Sequence, residues 1–268
     1  MIKNRILWGT AVVLMVLSAL PSCTAKEDPV EDPVPESGTV TRGSVSSVYM
    51  NTSMPYTVWL PAGYDASKQY PFLYLLHGAG DDETSWNAKG GASKIADKYL
   101  NAGGSPMVII MPDAKLTFYI GDYLPEKGSF AYESYFHEEL MPQVEAEFHC
   151  NGKRAVAGLS MGGYGTLYYV LKYPGKFTYG YAMSPATDLN GFQGLIDEQA
   201  DKKVFPGITL ESGLSDWTIS IQSVRECAAL LKDNGLDCTL IERSGGHDWG
   251  FWPVCLEKAL VKVAGTFK

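Results

Sequence analysis

The sequence predicts an α/β fold: a single domain on a mainly parallel central sheet with helices on both faces. Three observations predict it. Short apolar runs alternate with segments of helical length from about residue 42 onward. Two of the runs, Tyr70–Leu76 and Met107–Met111, are nearly continuously apolar, as strands buried on both faces are. A chain of 268 residues, 46% hydrophobic and 19% charged, holds one substantial core but is short for two.

Ser44–Met50 and Tyr56–Leu60 read as the opening strands, the second closed by Pro61-Ala62-Gly63-Tyr64. Tyr70–Leu76 and Met107–Met111 follow, the latter stopped by Pro112-Asp113. Tyr132–Phe148 reads as a helix with an apolar stripe at Tyr132, Phe136, Leu140, Val144 and Phe148, kinked or made irregular by Pro142. Asn151-Gly152 turns the chain into a strand at Arg154–Gly158. Strands at Phe177–Met183, Val204–Glu211 and Cys238–Glu242 then alternate with helices at Phe192–Asp201, Ile219–Lys232 and Phe251–Val263. No internal repeat is visible.

The first forty residues are of another kind. Lys3 and Arg5 precede the uncharged run Ile6–Leu20, which is short for a bilayer span of about 20 residues and fits the apolar region of an export signal. Leu20-Pro21-Ser22-Cys23 resembles the lipobox of bacterial lipoproteins, although Pro21 is uncommon there. That resemblance implies a signal peptide at 1–22, a lipid on Cys23 and a membrane partner for the mature chain. Residues 23–41, acidic and rich in proline, read as a solvated spacer, leaving 42–268 for the folded domain. Lys26-Glu27-Asp28 resembles the tag that sends some Gram-negative lipoproteins to the outer face of the outer membrane. Cys150, Cys227, Cys238 and Cys255 have no metal-site spacing and read as buried thiols or one or two bridges. A net charge of −8 without a basic cluster speaks against nucleic acid as a partner.

Chemistry concentrates in three places. Gly158-Leu159-Ser160-Met161-Gly162 lies between a strand and a helix, the setting of a nucleophile elbow, where glycines relieve a tight turn and the hydroxyl is raised at a helix head. A serine needs a base. His247, in Gly245-Gly246-His247-Asp248-Trp249 after the last strand, suits that role better than His77, which precedes the serine, or His137 and His149 on or beside a helix. Asp216, after a strand and before a helix, is the expected acid; Asp188 is the alternative, and Asp248 should point away from its neighbour. The backbone N–H groups of Met161 and, from His77-Gly78-Ala79-Gly80, of Ala79 are the expected oxyanion donors.

Leu75-Leu76-His77-Gly78, the Gly158–Gly163 elbow and Gly246-His247-Asp248-Trp249 together resemble the esterase D / putative esterase family, over roughly Ser44 to the C-terminus. The family includes tributyrin esterases, feruloyl and acetylxylan esterases of carbohydrate esterase family 1, S-formylglutathione hydrolases and antigen 85 mycolyltransferases. Tyr132-Glu133-Ser134-Tyr135 resembles a segment common in its extracytoplasmic feruloyl, acetylxylan and tributyrin-like group. The resemblance implies the α/β-hydrolase fold, hydrolysis of carboxylic esters through an acyl-enzyme, no cofactor and no metal. With the export signal it points to acetyl or feruloyl esters carried on saccharides. A peptidase of this fold usually adds a domain to select peptides, and a silent glycan-binding relative should lack one of Ser160, His247 or Asp216. Trp249, Trp252 and Tyr119 are candidate substrate contacts, whereas Trp217 is expected to close the core beneath the loops. Oligomeric state is not legible.

Overall fold

In a computed structural model of the protein, residues 36–121, 131–199, 201 and 204–268 are described. Residues 1–35, on which the expected signal peptide, the lipid site at Cys23 and most of the expected spacer fall, lie outside them. Among the described residues the strands β1 (Thr39–Ser47), β2 (Thr52–Leu60), β3 (Tyr70–Leu76), β4 (Val108–Pro112), β5 (Cys150–Leu159), β6 (Tyr179–Met183), β7 (Gly207–Gly213) and β8 (Cys238–Arg243) form one eight-stranded sheet. Its order is β1-β2-β4-β3-β5-β6-β7-β8. β1 pairs with β2 and β2 with β4 antiparallel; every other neighbouring pair is parallel.

Alternation of side chains along a strand divides the core in two. From β3, Phe72, Tyr74 and Leu76 join a cluster with Val156, Leu210, Leu167 and Phe136. Leu73 and Leu75 face the other way, toward Ala157, Tyr181, Trp86, Leu256 and Leu260. Helices therefore cover both faces. The second cluster includes residues of α1 (Ser85–Ala88), α2 (Ala92–Asn101) and α8 (Trp252–Gly265). The first includes residues of α3 (Tyr132–Ser134), α4 (Met141–Glu147), α5 (Met161–Lys172), α6 (Leu189–Glu198) and α7 (Ile221–Asp233).

Four details differ from the sequence reading. The fold begins before residue 42: β1 starts at Thr39, and the N–H groups of Glu36 and Gly38 donate to Asn101 and Asp97 of α2 (3.1 and 2.8 Å). Asn151-Gly152 does not precede β5 but lies inside it, where the pairing with β3 slips between Tyr70 and Phe72 and Gly152 takes φ 87°. α1 and α2 occupy a stretch to which the sequence reading assigned no element. Between α3 and α4 the helix opens into π-turns at Tyr135–Leu140. Residues four apart drift about 40° per step around an α-helix. The wider turns take up that drift just ahead of Pro142, which has no N–H to give. Tyr132, Phe136, Leu140 and Val144 consequently stay on one buried face.

The cysteines Cys150, Cys227, Cys238 and Cys255 are free thiols, the last three buried. No helix among the described residues is long and apolar enough to cross a membrane.

The carboxyl edge of the sheet is clamped by one buried carboxylate. Glu211 of β7 accepts from Arg243 Nε of β8 (2.5 Å), Lys258 Nζ of α8 (2.7 Å) and the Tyr181 hydroxyl of β6. Burial alone pushes its pKa up, but the three donors outweigh burial and hold it below the ordinary glutamate value. A depressed carboxylate pKa stabilises the fold above its unfolded value, about 4.3, and that contribution is lost as pH falls through the folded value. Glu211→Ala takes the acceptor from Arg243 and Lys258, both partly exposed, and from the buried Tyr181 hydroxyl. It is expected to cost about 2–3 kcal/mol, seen as a Tm roughly 6 °C lower at pH 7. A Tm within 2 °C or so of the wild type would show that the clamp is not needed.

Candidate active site

Four loops meet the carboxyl ends of parallel strands β3, β5, β7 and β8, the edge where open α/β sheets place their ligands. Ser160 follows β5 and heads α5 with φ 53° and ψ −113°, a conformation in which a non-glycine residue is held under strain. The turn closes only because its glycines have no side chain. A Cβ on Gly158 would stand 2.3 Å from Gly162 O, and one on Gly162 would stand 2.5 Å from Leu76 O. The elbow is tied to β6 through Ser160 N–H donating to Met183 O (2.9 Å) and Ala186 N–H donating to Ser160 O (3.1 Å). Ser160 remains partly accessible, and Met161 opens the helix behind it.

His247 and Asp216 come from adjacent loops after β8 and β7. Those loops are joined by Leu214 N–H donating to Arg243 O (2.9 Å) and Ser215 N–H donating to Gly245 O (3.0 Å). His247 Nδ1 lies 2.8 Å from Asp216 Oδ2, and the Asp216 side chain is fully buried. Oδ1 of the same carboxylate accepts from Thr218 N–H (2.9 Å) and Ile219 N–H (2.8 Å). An ionised carboxylate only accepts, so this pattern assigns the proton to Nδ1 and leaves Nε2 as the basic nitrogen. Asp188 is elsewhere: it caps α6 by accepting from Gly191 N–H (3.0 Å). Asp248 is turned onto Gly250 N–H (2.7 Å). His137 is half-buried among aromatic rings, where lost solvation, with help from nearby lysines, lowers its pKa to about 3.

The loop after β3 stands beside the serine. A Cβ on Gly78 would lie 3.5 Å from Ser160 Cβ. Its peptide orientation is set by His77, a buried imidazole whose Nδ1 donates to Gly78 O (2.8 Å) while Nε2 accepts from Ala114 N–H (2.9 Å). Gly78 O also accepts from Asp81 N–H (3.2 Å). With that carbonyl fixed, the N–H of Ala79 in the same planar peptide points the opposite way. Beside His77, Asp113 is held down at a pKa of about 2. Burial opposes ionisation there, but the ammonium and the backbone N–H of Lys115, with the His77 ring close by, outweigh it.

The aromatic candidates separate. Tyr119 is fully buried and its hydroxyl donates to His77 O (3.0 Å); it supports the loop from behind and is no substrate contact. It has φ 64°, within a turn that also places Lys115 and Phe118 in the left-handed region. Trp252 is 5% exposed, with its ring edge-on to His247 at 5.0 Å. Trp249, partly exposed, bridges Trp252 and Trp86 at 5.2 Å each, and Trp86 Nε1 donates to Leu76 O (3.0 Å). Trp217 reverses its expectation: it is 96% exposed and does not close the core. Sequence reasoning also missed the anchoring role of His77, although its place between a buried strand and Gly78 was a usable signal. No group of three His, Cys, Asp or Glu side chains among the described residues is arranged to hold a metal ion.

The family model described as "Putative esterase" matches residues 47–263. Among curated proteins, an endo-1,4-beta-xylanase/feruloyl esterase of Xylanibacter ruminicola is 31% identical over 232 residues, covering 82% of this chain and 30% of that protein. An acetyl esterase of Caldicellulosiruptor saccharolyticus is 28% identical over 228 residues, covering 69% of this chain and 80% of the other. The chain thus spans under a third of the xylanase/feruloyl esterase and of a Mycobacterium tuberculosis esterase that it also matches. A solved ferulic acid esterase superposes with a TM-score of 0.74 at 26% identity, over 86% of this chain and all of that one. The same fold recurs in a ferulic acid esterase of Anaeromyces mucronatus, TM-score 0.73 at 23% identity, over 91% and 95% of the two chains. With its elbow, its loop geometry and a family match across most of its length, the chain belongs to the putative esterase family, an enzyme family of α/β-hydrolase fold.

Proposed function

We propose that the protein is a serine esterase that hydrolyses carboxylic esters through an acyl-enzyme, acting on acetyl or feruloyl groups carried by plant-type saccharides. The observation that carries the reading is the His247–Asp216 pair at 2.8 Å on the edge that also bears the strained Ser160 elbow. Family membership and relatives named as feruloyl and acetyl esterases support the reaction class and suggest the acyl groups.

In this mechanism Nε2 of His247 takes the Ser160 hydroxyl proton as Oγ attacks the ester carbonyl carbon. The carbonyl oxygen becomes an oxyanion, met by the N–H groups of Met161 and Ala79. Asp216 keeps the ring in its Nδ1–H tautomer and stabilises the imidazolium without taking the proton. The C–O bond to the alcohol breaks, and His247 passes its proton to the departing oxygen. Water then gives a proton to His247 and its oxygen to the acyl carbon; the bond from that carbon to Oγ breaks, His247 returns the proton to Oγ, and the acid leaves. No cofactor or metal enters these steps. Residues 1–35, including Cys23, lie outside the described structure; the basic head, the apolar run and the lipobox-like Leu20–Cys23 support export and a lipid tether, with the outer membrane as the site.

Purified protein is expected to hydrolyse p-nitrophenyl acetate, methyl ferulate and acetylated xylan but not a peptide amide. Ser160→Ala is expected to lower kcat by at least roughly 10³-fold. Ester turnover that survives Ser160→Ala, or a wild-type protein that cleaves only the amide, would overturn the reading. His77→Leu, which releases the Gly78 carbonyl, is expected to lower kcat on p-nitrophenyl acetate roughly 100-fold with little change in KM, as loss of one oxyanion donor does. A rise in KM at unchanged kcat would assign His77 to substrate binding instead.

A further inference from the structure

Trp217 is the only aromatic among the strongly exposed large hydrophobic side chains of the described residues, and it sits one residue from the carboxylate that holds His247. A single surface valine or leucine needs no explanation. An indole with 96% of its surface in water, on the rim of the proposed reaction centre, does.

Its position is built rather than incidental. Asp216 Oδ1 receives the N–H groups of Thr218 and Ile219, so the backbone folds into a tight turn around the carboxylate with Trp217 at the bend. The same carboxylate, through Oδ2, fixes His247. The indole and the imidazole are therefore positioned by one group, and both line the same open cleft of about 500 Å³. Ser215, Thr218 and Asp248 bring two hydroxyls and a carboxylate to that cleft. A flat apolar face bordered by hydrogen-bonding groups matches a sugar ring, whose C–H face is apolar and whose edge carries hydroxyls.

The chemistry says which part of the substrate lies there. In acyl transfer the histidine must reach the departing oxygen to return its proton, so the space on the histidine's side belongs to the alcohol. The carbonyl oxygen faces the Gly78 loop instead. We propose that Trp217 is a ring-stacking subsite for the alcohol half of the substrate, taking a sugar residue of the oligosaccharide that bears the ester. The proposal rests on the esterase reading above and deepens it. Because Asp216 fixes the backbone of the turn, only the side-chain torsions of Trp217 are ordered on binding.

The test compares two esters of one acyl group: an acetylated xylo-oligosaccharide and p-nitrophenyl acetate. In Trp217→Ala the ratio of kcat/KM for the oligosaccharide to kcat/KM for p-nitrophenyl acetate is expected to fall about tenfold, with the loss residing in KM for the oligosaccharide. Trp217→Phe, which keeps a flat ring, is expected to restore most of that ratio. An unchanged ratio would overturn the subsite, whether both activities fell together through a disturbed Asp216 turn or neither moved. So would a wild-type protein that cleaves p-nitrophenyl acetate but not the oligosaccharide. A wild-type protein that cleaves neither refutes the esterase reading itself, a result separable from failure of the subsite alone.

Discussion

The site depends on how closely two backbone turns approach each other at the end of the sheet. Gly162, in the first turn of the helix that Ser160 heads, has its α-carbon against the carbonyls of Leu76 and His77, where a Cβ would lie 2.5 and 2.7 Å away. That contact brings the loop after β3 beside the serine, leaving only 3.5 Å between a Cβ on Gly78 and the Ser160 Cβ. A side chain at Gly162 would push the two turns apart by more than the reach of a hydrogen bond can absorb. The glycines of the elbow therefore join the turn that carries Ser160 to the loop after β3; they do more than relax one bend.

Around this contact the protein places supports that hold but do not react. His77 fixes the Gly78 carbonyl, and Tyr119 and Trp86 hold the carbonyls of His77 and Leu76 from behind. On the other side, Asp216 ties down its own turn with one oxygen and orients His247 with the other. Glu211, deeper in β7, pins β6, β8 and α8 together under those loops. Each support is a hydrogen bond from a buried side chain, which fixes loop backbone that no helix or strand would hold.

Much of this was legible in the sequence where local chemistry dictates local structure. The run at Tyr70–Leu76 is the observed strand to the residue, because a strand buried on both faces has no polar position to blur it. The place of Ser160 between a strand and a helix, and of Asp216 and His247 in loops after strands, followed from the alternation of strand-like and helix-like segments. What could not be read depended on side-chain direction in irregular loops. Tyr119 and Trp217 both looked like aromatic residues near the site. Tyr119 turns inward because its φ of 64° aims it under the β3 end. Trp217 turns outward because the carboxylate beside it gathers the two following amides. Neither direction has a periodicity to betray it. The π-turns at Tyr135–Leu140 were equally hidden, although the strict spacing of four in the apolar stripe was their trace.

The most direct test of the account is covalent capture of the nucleophile. Protein treated with an aryl alkylphosphonate, which transfers phosphorus to an activated serine and expels a phenol, is expected to gain one adduct by intact-mass measurement. Peptide mapping should place it on Ser160. His247→Ala should react far more slowly, and Ser160→Ala not at all. An adduct on another residue, or labelling of Ser160 at the same rate without His247, would contradict the claim that this elbow and this histidine form one reactive centre.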